Sequence, residues 1–304
     1  MPELPEVESL VRGIRSELVG KSFADVVFYR DDIREKIPKI RLKQILVDQK
    51  IKQVFRRGKY LLVGTDHGFL GVHLGMSGRL VKAANHEKLP AHTHAVFEIS
   101  PSVQFRFVDP RRFGRLFSIE NHELYTHPFL AKLGIEPLEN VQTLACHLYQ
   151  KSRGRMQPIK NFIMDSSVVV GVGNIYASEA LWLARIHPEQ KSRSLSEEDY
   201  LELAHAISEV LIKAIAAGGT TFRDYRDKDG KPGYFQNKLA VYGKNTKPCP
   251  RCMRKICRAV HCGRSTFYCS FCQNKKKART VKNSRQVKAP HKNYKKILKI
   301  LLKL

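Results

Sequence analysis

The chain has 304 residues, with 54 Lys and Arg against 28 Asp and Glu, which gives a formal net charge of +26. This length can bury a full core, and the usual domain sizes suggest two domains. No apolar run approaches the roughly 20 residues that span a bilayer, and no signal-peptide pattern opens the chain, so we expect a soluble, cytoplasmic protein without a membrane span. The charge predicts a polyanionic partner, with nucleic acid the leading candidate.

The first eight residues, MPELPEVE, lead into a helical pattern of apolar residues that runs from Val7 to Leu18 and stops at Gly20. Helix chemistry alone explains this composition, because proline suits the first helical position and glutamates suit the positive end of the helix dipole. The pattern leaves open whether the proline and the glutamates also have a chemical role.

Four short segments after this helix are rich in β-branched and aromatic residues and are bounded by turn formers: 59–65, 68–74, 93–99 and 103–108. They predict strands and a β-rich first domain. In the last segment, Val103, Phe105 and Phe107 alternate with polar residues, as expected for a strand with one buried face.

From about residue 135 the apolar residues follow a helical period, which predicts a second, mostly helical domain. Its clearest helix has Ser194 and Glu197 as a predicted capping box and ends at Gly218. One face of this helix is predicted to be apolar: Leu203, Ile207, Val210, Leu211 and Ala214. Prolines and a glycine between residues 127 and 140 predict the linker between the two halves.

The last 32 residues, from Gln273, contain 12 Lys or Arg and no acidic residue, so the rest of the chain carries 26 − 12 = +14. A charge run of this kind favours disorder. The alternative is a basic amphipathic helix formed by the final YKKILKILLKL on an acidic surface.

Six of the seven cysteines lie between residues 249 and 272, where two CxxC pairs are separated by sixteen residues. The count and spacing match a structural zinc site, and four cysteine ligands leave no open position for a catalytic water. We therefore predict one structural Zn²⁺ that stabilises a small hairpin, with these ligands: Cys249, Cys252, Cys269 and Cys272. Three residues inside the loop stay open as competing ligands: Cys257, His261 and Cys262.

Gly171 and Gly173 stand just before Asn174 and a helical pattern. Glycines in this place allow backbone N–H groups to approach an anion closely. The alternative is a tight turn with Asn174 as the helix N-cap.

Two loops carry large apolar residues beside arginine. HLGMSGRL places Met76 between glycines, and DPRRFG places Phe113 after Arg111 and Arg112. Such side chains can wedge between DNA bases. The alternative is that Met76 and Phe113 pack under their own loops.

Taken together, these stretches resemble the formamidopyrimidine-DNA glycosylases, the bacterial base-excision enzymes for oxidised purines. The resemblance covers residues 2 to about 273 in order, through PELPEVE, RRGKYLL, HLGMSG, DPRRFG, VVGVGNIYASE, GGTTFRDY, DGKPGYF and RSTFYCSFCQ. The opening PELPEVE favours this branch over the related endonuclease VIII branch.

The resemblance implies a bifunctional DNA glycosylase and abasic-site lyase that acts on 8-oxoguanine and formamidopyrimidines in damaged double-stranded DNA. Once Met1 is removed, Pro2 would present a secondary amine that attacks the sugar C1′ and forms an iminium intermediate. Glu3 would donate a proton to the sugar, Lys59 would assist β-elimination, and Arg264 would serve δ-elimination and phosphate binding.

By the same resemblance, further residues are expected to contact DNA: His73, His92, Arg155, Asn174 and Tyr242. Lys160 would lie near the lesion. Met76, Arg111 and Phe113 would fill the gap left by an everted base, with Arg111 facing the orphaned cytosine. Residues 220–235 would form the segment that closes over the everted purine.

The family architecture implies an α+β chain that binds DNA as a monomer in a cleft. A β-sandwich with flanking helices would span residues 1–133, followed by a linker at 134–140 and a helix-two-turn-helix domain at 141–243. A zinc-finger β-hairpin at 244–273 and a basic tail at 274–304 would complete it. The chain departs from the family locally, with Met253 where glycine often stands, with additional cysteines at 257 and 262, and with its tail.

Two other functions stay open. Excision of oxidised pyrimidines, as in the endonuclease VIII branch, would be favoured if thymine glycol were cut faster than 8-oxoguanine opposite cytosine. A zinc-containing protein that recognises damage without cutting would bind DNA tightly and leave the strand intact.

Overall fold

A computed structural model describes residues 2–221 and 227–275 of the chain. The N-terminal half is a sandwich of two four-stranded antiparallel sheets, with strand orders β1-β6-β7-β5 and β2-β3-β4-β8. Its helices and strands are, in chain order, α1 (Leu4–Leu18), β1 (Asp25–Phe28), α2 (Lys39–Leu46), β2 (Gln53–Arg57), β3 (Tyr60–Thr65), β4 (Gly68–His73), β5 (Arg79–Ala84), β6 (Thr93–Ser100), β7 (Val103–Val108) and β8 (Arg115–Ile119).

The described residues of the second half, up to 275, form four α-helices and a two-stranded hairpin: α3 (Val141–Ser152), α4 (Ile159–Met164), α5 (Asn174–Leu183), α6 (Glu197–Ala216), β9 (Cys257–His261) and β10 (Arg264–Tyr268). The helices share one apolar core, and β10 packs against α5. The predicted fold class, an N-terminal β-sandwich followed by a helical half with a cysteine-bearing hairpin, is confirmed.

Helix α1 joins the two cores. Its apolar residues from Val7 to Leu18 are buried in the core between the sheets. Leu4, one turn earlier, is buried instead in the core of the helical half, and its N–H donates to the Gly171 carbonyl at 3.1 Å. The start of the chain is therefore fixed between the two halves.

The strands predicted from alternation and β-branched composition are confirmed to within one residue at each end. The predicted capping box of α6 is wrong, because Ser194 belongs to a preceding 3-10 turn. The extended residue before the helix is Ser196, and Ser196 and Asp199 form the box. The predicted apolar face of α6 is buried. In α1 the first helical residue is Leu4, so Pro2 precedes the helix and Glu3 caps it.

Within the described ranges, every helix is too short or too polar to cross a membrane. The predictions for the tail from residue 276 and for residues 222–226 fall outside the described residues.

Candidate active site

The Glu3 carboxylate lies at the N-terminus of helix α5. Its oxygens accept the N–H of Gly173 at 2.7 Å and of Ile175 at 3.1 Å, and the side chain is buried. A helix N-terminus favours such an anion through its free N–H groups and its dipole. The anion expected at the glycine turn is thus a carboxylate of the same chain. The alternative of Asn174 as N-cap is wrong, since Gly173 holds that position.

Glycine is required at position 173 because there is no room for a Cβ atom. A Cβ atom there would lie 2.3 Å from Cδ of Glu3, and one at Gly171 would lie 2.4 Å from Cβ of Leu4. Both approaches are shorter than van der Waals contact, so the two glycines allow the start of α1 to lie directly against the start of α5.

Glu6 connects the start of α1 to two other segments. One oxygen accepts the Glu3 N–H at 2.7 Å, and the other accepts the Thr220 N–H at 2.7 Å and the Tyr176 hydroxyl. Burial, and then the nearby charge of Glu3, raises the pKa of Glu6. The sequence indicated only a helical role for Glu6. The spacing of Glu3 and Glu6, which is that of an N-cap and its N3 partner, could have indicated the reciprocal pair.

Lys59 lies in the turn between β2 and β3 and is partly buried. Burial lowers its pKa, the charges of Glu3 and Glu6 raise it, and the charge of Arg264 lowers it further. Lys59 therefore lies within electrostatic range of Glu3, of Glu6 and of Arg264. Arg264 is exposed at the beginning of β10. Glu3 and Arg264 therefore both act electrostatically on Lys59, and Pro2 is buried beside Glu3.

The turn that presents Lys59 is held by Glu136, which lies in the predicted linker. Its carboxylate accepts the Gly58 N–H at 2.7 Å and pairs with Arg56 at 2.8 Å and with Arg57 at 3.1 Å. Sequence reasoning missed this residue, because nothing in its local pattern indicates a contact with a turn almost eighty residues earlier.

Lys160 is buried and fully engaged. Its Nζ donates to Asn174 Oδ1 at 2.6 Å, to Thr266 Oγ1 at 2.7 Å and to the Ser265 carbonyl at 3.1 Å. Burial, and then the charge of Arg264, lowers its pKa to about 8. This lysine therefore connects α4 to Asn174 of α5 and to Ser265 and Thr266 of the hairpin, and it helps to fix their relative positions.

Asn174 extends the same junction. Its amide donates to the Ser265 carbonyl at 3.0 Å and to the Tyr242 hydroxyl at 3.4 Å. The Tyr242 ring packs edge-on against Phe267 of β10. The structure thus brings Lys160, Asn174 and Tyr242 together.

The two loops that carry large apolar residues lie side by side. The buried Asp109 carboxylate accepts the Ser77 hydroxyl at 2.6 Å and the Gly114 N–H at 2.8 Å, and thereby joins one loop to the other. Met76 and Phe113 are 36% and 41% exposed, which contradicts the alternative that they pack under their own loops.

The remaining predicted DNA contacts lie in three separate loops. The Arg111 guanidinium lies over the Phe113 ring at 4.9 Å. His92 is exposed in a left-handed backbone conformation. Arg155 lies 3.7 Å from Asp165, with its guanidinium over the Phe162 ring.

His73 ends β4 beside Lys59. Its Nδ1 accepts the Gly75 N–H at 3.0 Å, and its ring lies 5.0 Å from the Tyr60 ring, centroid to centroid, at a tilted angle of 51°. Burial, and then the charges of Lys59 and Arg115, lowers the pKa of His73 to about 4. The imidazole is therefore neutral near pH 7, and its proton is on Nε2 because Nδ1 accepts.

The four predicted zinc ligands form one cluster, in which all sulfur atoms lie within 4.8 Å of one another: Cys249, Cys252, Cys269 and Cys272. Two of these distances are 3.9 Å and 3.5 Å. Tetrahedral Zn–S bonds of about 2.3 Å imply sulfur separations of about 3.8 Å, so the cluster fits the ion.

The three residues that were left open as alternative zinc ligands have other partners. Cys257 lies near Ser270, Cys262 accepts from the Asn161 amide, and His261 pairs with Glu189 at 2.7 Å. Met253, which stands where the family often has glycine, adopts a positive φ of 61°. That conformation explains the usual glycine.

Two domain models of one family match the chain. The formamidopyrimidine-DNA glycosylase N-terminal domain matches residues 1–116, and the formamidopyrimidine-DNA glycosylase H2TH domain matches residues 133–226. The chain belongs to the formamidopyrimidine-DNA glycosylase family. The family predicted from the sequence is thereby confirmed, and with it the predicted enzyme class of DNA glycosylase and abasic-site lyase.

Relatives and solved structures agree with this membership. Formamidopyrimidine-DNA glycosylases of Rickettsia massiliae and Ruthia magnifica are 44% and 45% identical over 90% of this chain, which covers 97% and 100% of their lengths. The MutM (Fpg) protein of Thermus thermophilus has a TM-score of 0.80 at 38% identity, over 91% of this chain and 100% of that one. A Lactococcus lactis FPG mutant bound to DNA containing Fapy-dG has a TM-score of 0.81 at 33% identity, over 90% and 100%.

Proposed function

We propose that this enzyme excises oxidised purines, 8-oxoguanine and formamidopyrimidines, from double-stranded DNA and then cuts the strand by β,δ-elimination. The observation that carries the proposal is that Lys59 interacts electrostatically with Glu3, which caps α1 next to Pro2, and with Arg264 of the hairpin. The Lactococcus lactis relative was solved on DNA containing Fapy-dG, and a MutM protein was solved on DNA containing carbocyclic 8-oxo-G.

Pro2 is the proposed nucleophile, and it requires removal of Met1, because an amide nitrogen cannot attack. A free α-amino group has a reference pKa of about 8, so an appreciable neutral fraction exists at physiological pH. Its lone pair forms a bond to C1′ of the damaged nucleotide while the bond from C1′ to the base breaks. Opening of the sugar then gives the iminium intermediate.

Glu3 and the two cations serve the remaining steps. Glu3 is held as a carboxylate by two backbone N–H groups of α5, so it must first take up a proton; it then donates that proton to the sugar as the base leaves. Lys59 has a lowered pKa through burial and assists loss of the 3′ phosphate. Arg264, exposed on the hairpin, binds phosphate and assists δ-elimination.

DNA lies in the cleft between the two halves of a monomer in the cytoplasm. The gap left by the everted base is filled by three side chains of the two joined loops: Met76, Arg111 and Phe113. Their exposure leaves them free to enter the base stack. One Zn²⁺ held by the four-cysteine cluster stabilises the hairpin that carries Arg264 and takes no part in the chemistry.

The proposed units are a sandwich at 1–133, a linker at 134–140, a helix-two-turn-helix domain at 141–243, a zinc finger at 244–273 and a basic tail at 274–304. The tail adds affinity without sequence preference, because its lysines and arginines release counterions from DNA. Truncation after Gln273 should therefore flatten the dependence of log affinity on log salt by about 0.9 for each phosphate that the tail neutralises. An unchanged slope would show that the tail does not bind DNA.

The deciding experiment is borohydride trapping on a duplex with 8-oxoguanine opposite cytosine, with the intact mass recorded on the same preparation. A covalent adduct mapped to Pro2 supports the proposal. If Met1 is absent and DNA binds, yet neither this duplex nor an abasic duplex gives an adduct, the catalytic proposal is wrong. Faster cutting of thymine glycol would instead favour oxidised pyrimidines as substrates.

A further inference from the structure

The loop after α5 carries Glu189 and is fixed by the start of α4. The backbone N–H of Ile159 donates to the Gln190 carbonyl at 2.7 Å, and that of Lys160 donates to the Pro188 carbonyl at 3.2 Å. These bonds lie on both sides of Glu189 in the chain, so α4 sets the position of its backbone. The Glu189 side chain is partly exposed.

Glu189 binds the hairpin through His261, the last residue of β9. The imidazole Nε2 lies 2.7 Å from one carboxylate oxygen, and the other oxygen lies 2.5 Å from the Lys275 amine. The His261 side chain is only 13% exposed, and its Nδ1 is buried with no hydrogen-bond partner among the described residues. Loss of Glu189 would therefore leave a mostly buried imidazole with both nitrogens unpaired, which is costly.

The hairpin turn places Arg264 directly across from His261. The two residues are paired in the register of β9 and β10, with Cys262 and Gly263 as the two-residue turn between them. Both turn residues have a positive φ, 47° and 72°, as a type I′ turn requires. Paired residues of antiparallel strands have Cβ atoms about 5 Å apart on one face of the sheet, so a shift of His261 moves Arg264 as well.

The hairpin is attached to the helical half on both strands close to Arg264. On β10, the Lys160 amine donates to the Ser265 carbonyl at 3.1 Å. On β9, Glu189 holds His261. Lys160 thus fixes the residue after Arg264, and Glu189 fixes the residue that faces it. The Arg264 side chain is exposed, so its direction depends on the hairpin backbone that carries it.

We propose that Glu189 and His261 form a clamp that positions Arg264 for δ-elimination. The inference rests on the proposed function, in which Arg264 binds the phosphate that departs in this step. A proton leaves C4′ of the opened, unsaturated sugar and passes to water, the bond from C5′ to the phosphate oxygen breaks, and a C4′=C5′ double bond forms. The phosphate leaves as an anion whose charge the guanidinium stabilises. Glu189 and His261 are positioning residues, because they act on the phosphate through Arg264.

The test follows the two strand-cutting steps separately. Products of β- and δ-elimination differ at the 3′ end and are resolved on a sequencing gel, so single-turnover rates of both steps are measured on a duplex with an abasic site. Glu189→Ala removes the carboxylate, and His261→Phe keeps a ring but removes the donor. His261→Gln keeps a donor and tests rescue. Glu209→Ala is the matched control, because Glu209 is an exposed carboxylate of the same half that pairs with Lys213 of its own helix.

We expect Glu189→Ala and His261→Phe to slow δ-elimination about tenfold, the factor that one hydrogen bond to a charged group is worth. Release of 8-oxoguanine and β-elimination should stay unchanged. The double variant should be no slower than either single variant, because both remove the same bond. His261→Gln and Glu209→Ala should match the unaltered enzyme. In an Arg264→Ala background, Glu189→Ala should have no further effect, because the clamp acts through Arg264.

Equal slowing of 8-oxoguanine release, β-elimination and δ-elimination would overturn the inference, because it would indicate a general loss of structure. Unchanged δ-elimination in Glu189→Ala and His261→Phe, beside an unaltered enzyme that forms the δ product, would overturn the clamp alone. A further loss in the Arg264→Ala background would also overturn it. If the unaltered enzyme with Met1 removed formed no borohydride adduct, the proposed function would fail and the clamp with it.

Discussion

The Glu3 carboxylate of the N-terminal half lies 2.7 Å from the backbone nitrogen of Gly173 in the helical half. The proposed catalytic acid is therefore held by a helix to which it is not joined in sequence, 170 residues away. Any movement of one half against the other changes the position of this carboxyl relative to α5. The geometry of the site thus depends on the packing of α1 against both cores.

Replacement of Gly173 by alanine tests this dependence. The new Cβ would lie 2.3 to 2.7 Å from the Glu3 carboxylate, although the φ of −115° at this position suits alanine. The carboxyl must therefore shift, and a displacement of about 1 Å at a catalytic group costs about 100-fold in rate. We expect excision in single-turnover assays to fall by that factor while DNA affinity is retained.

Gly243→Ala is the control for this variant. Gly243 has a positive φ of 75° and open space around its Cα, so alanine there tests backbone strain without a clash. Full excision activity of Gly173→Ala would contradict the proposed role of the contact between Glu3 and α5.

Much of the fold follows from the sequence, because local patterns determine it. The alternating strand at 103–108 and the apolar face of α6 are visible as periods of two and of 3.6 residues. The four-cysteine cluster follows from cysteine spacing. The predicted capping box of α6 is misplaced by two residues, because a 3-10 turn before the helix has the same serine-rich composition.

The contacts that hold the site were not predictable, because each joins residues far apart in the chain. Glu6 meets Thr220, and Glu136 meets Gly58, across sequence separations of 214 and 78 residues. A carboxylate in the first turn of a helix or in a linker has an ordinary local explanation, and only the three-dimensional arrangement reveals its partner.

Met76 and Phe113 provide a test of the DNA surface. Both are exposed at the joined loops, so alanine at both positions should change the free energy of unfolding by less than about 1 kcal/mol. If they replace the everted base in the stack, affinity for a lesion-containing duplex should fall by about tenfold, measured by fluorescence anisotropy.

Ile40 and Tyr125, also exposed and apolar, provide the control, because both lie outside the two joined loops. Alanine at both of these positions should leave affinity unchanged. A large loss of stability in the variant of Met76 and Phe113 would show that the two side chains belong to the core, contrary to their exposure.

His73 should make stability depend on pH in a defined window. Its pKa is lowered from 6.5 to about 4 in the folded protein, so between these values the unfolded chain binds more protons. The stability contributed by the neutral His73 is therefore fully present above about pH 6.5 and decreases as the pH falls towards 4, by at most about 3.4 kcal/mol. His73→Asn should reduce the slope of unfolding free energy against pH in urea titrations.

His205→Gln is the control for His73, because His205 is exposed on α6. The expected slope from one histidine is at most about 1.4 kcal/mol per pH unit. The same slope in His73→Asn as in the unaltered protein would show that His73 is not the group held neutral by burial.

Trp182 should report the state of the cysteine cluster. It is the sole tryptophan of the chain, and its indole N–H donates to the Cys249 sulfur at 3.4 Å. Arg251, between two of the cysteines, lies over the indole ring at 4.1 Å and donates to the Trp182 carbonyl. Because structural zinc and local folding are coupled, loss of the ion should release Arg251 and expose the indole to water.

We therefore expect a chelator to shift the tryptophan emission to longer wavelength in step with release of one zinc per chain, measured with a chromophoric zinc indicator. Cys249→Ser should show the shifted emission without chelator. Cys146→Ser, which changes an exposed cysteine of α3, should behave as the unaltered protein does. Release of zinc without any change in emission would show that the packing of Trp182 on α5 does not depend on the ion. It would contradict the proposal that the metal holds the hairpin in place.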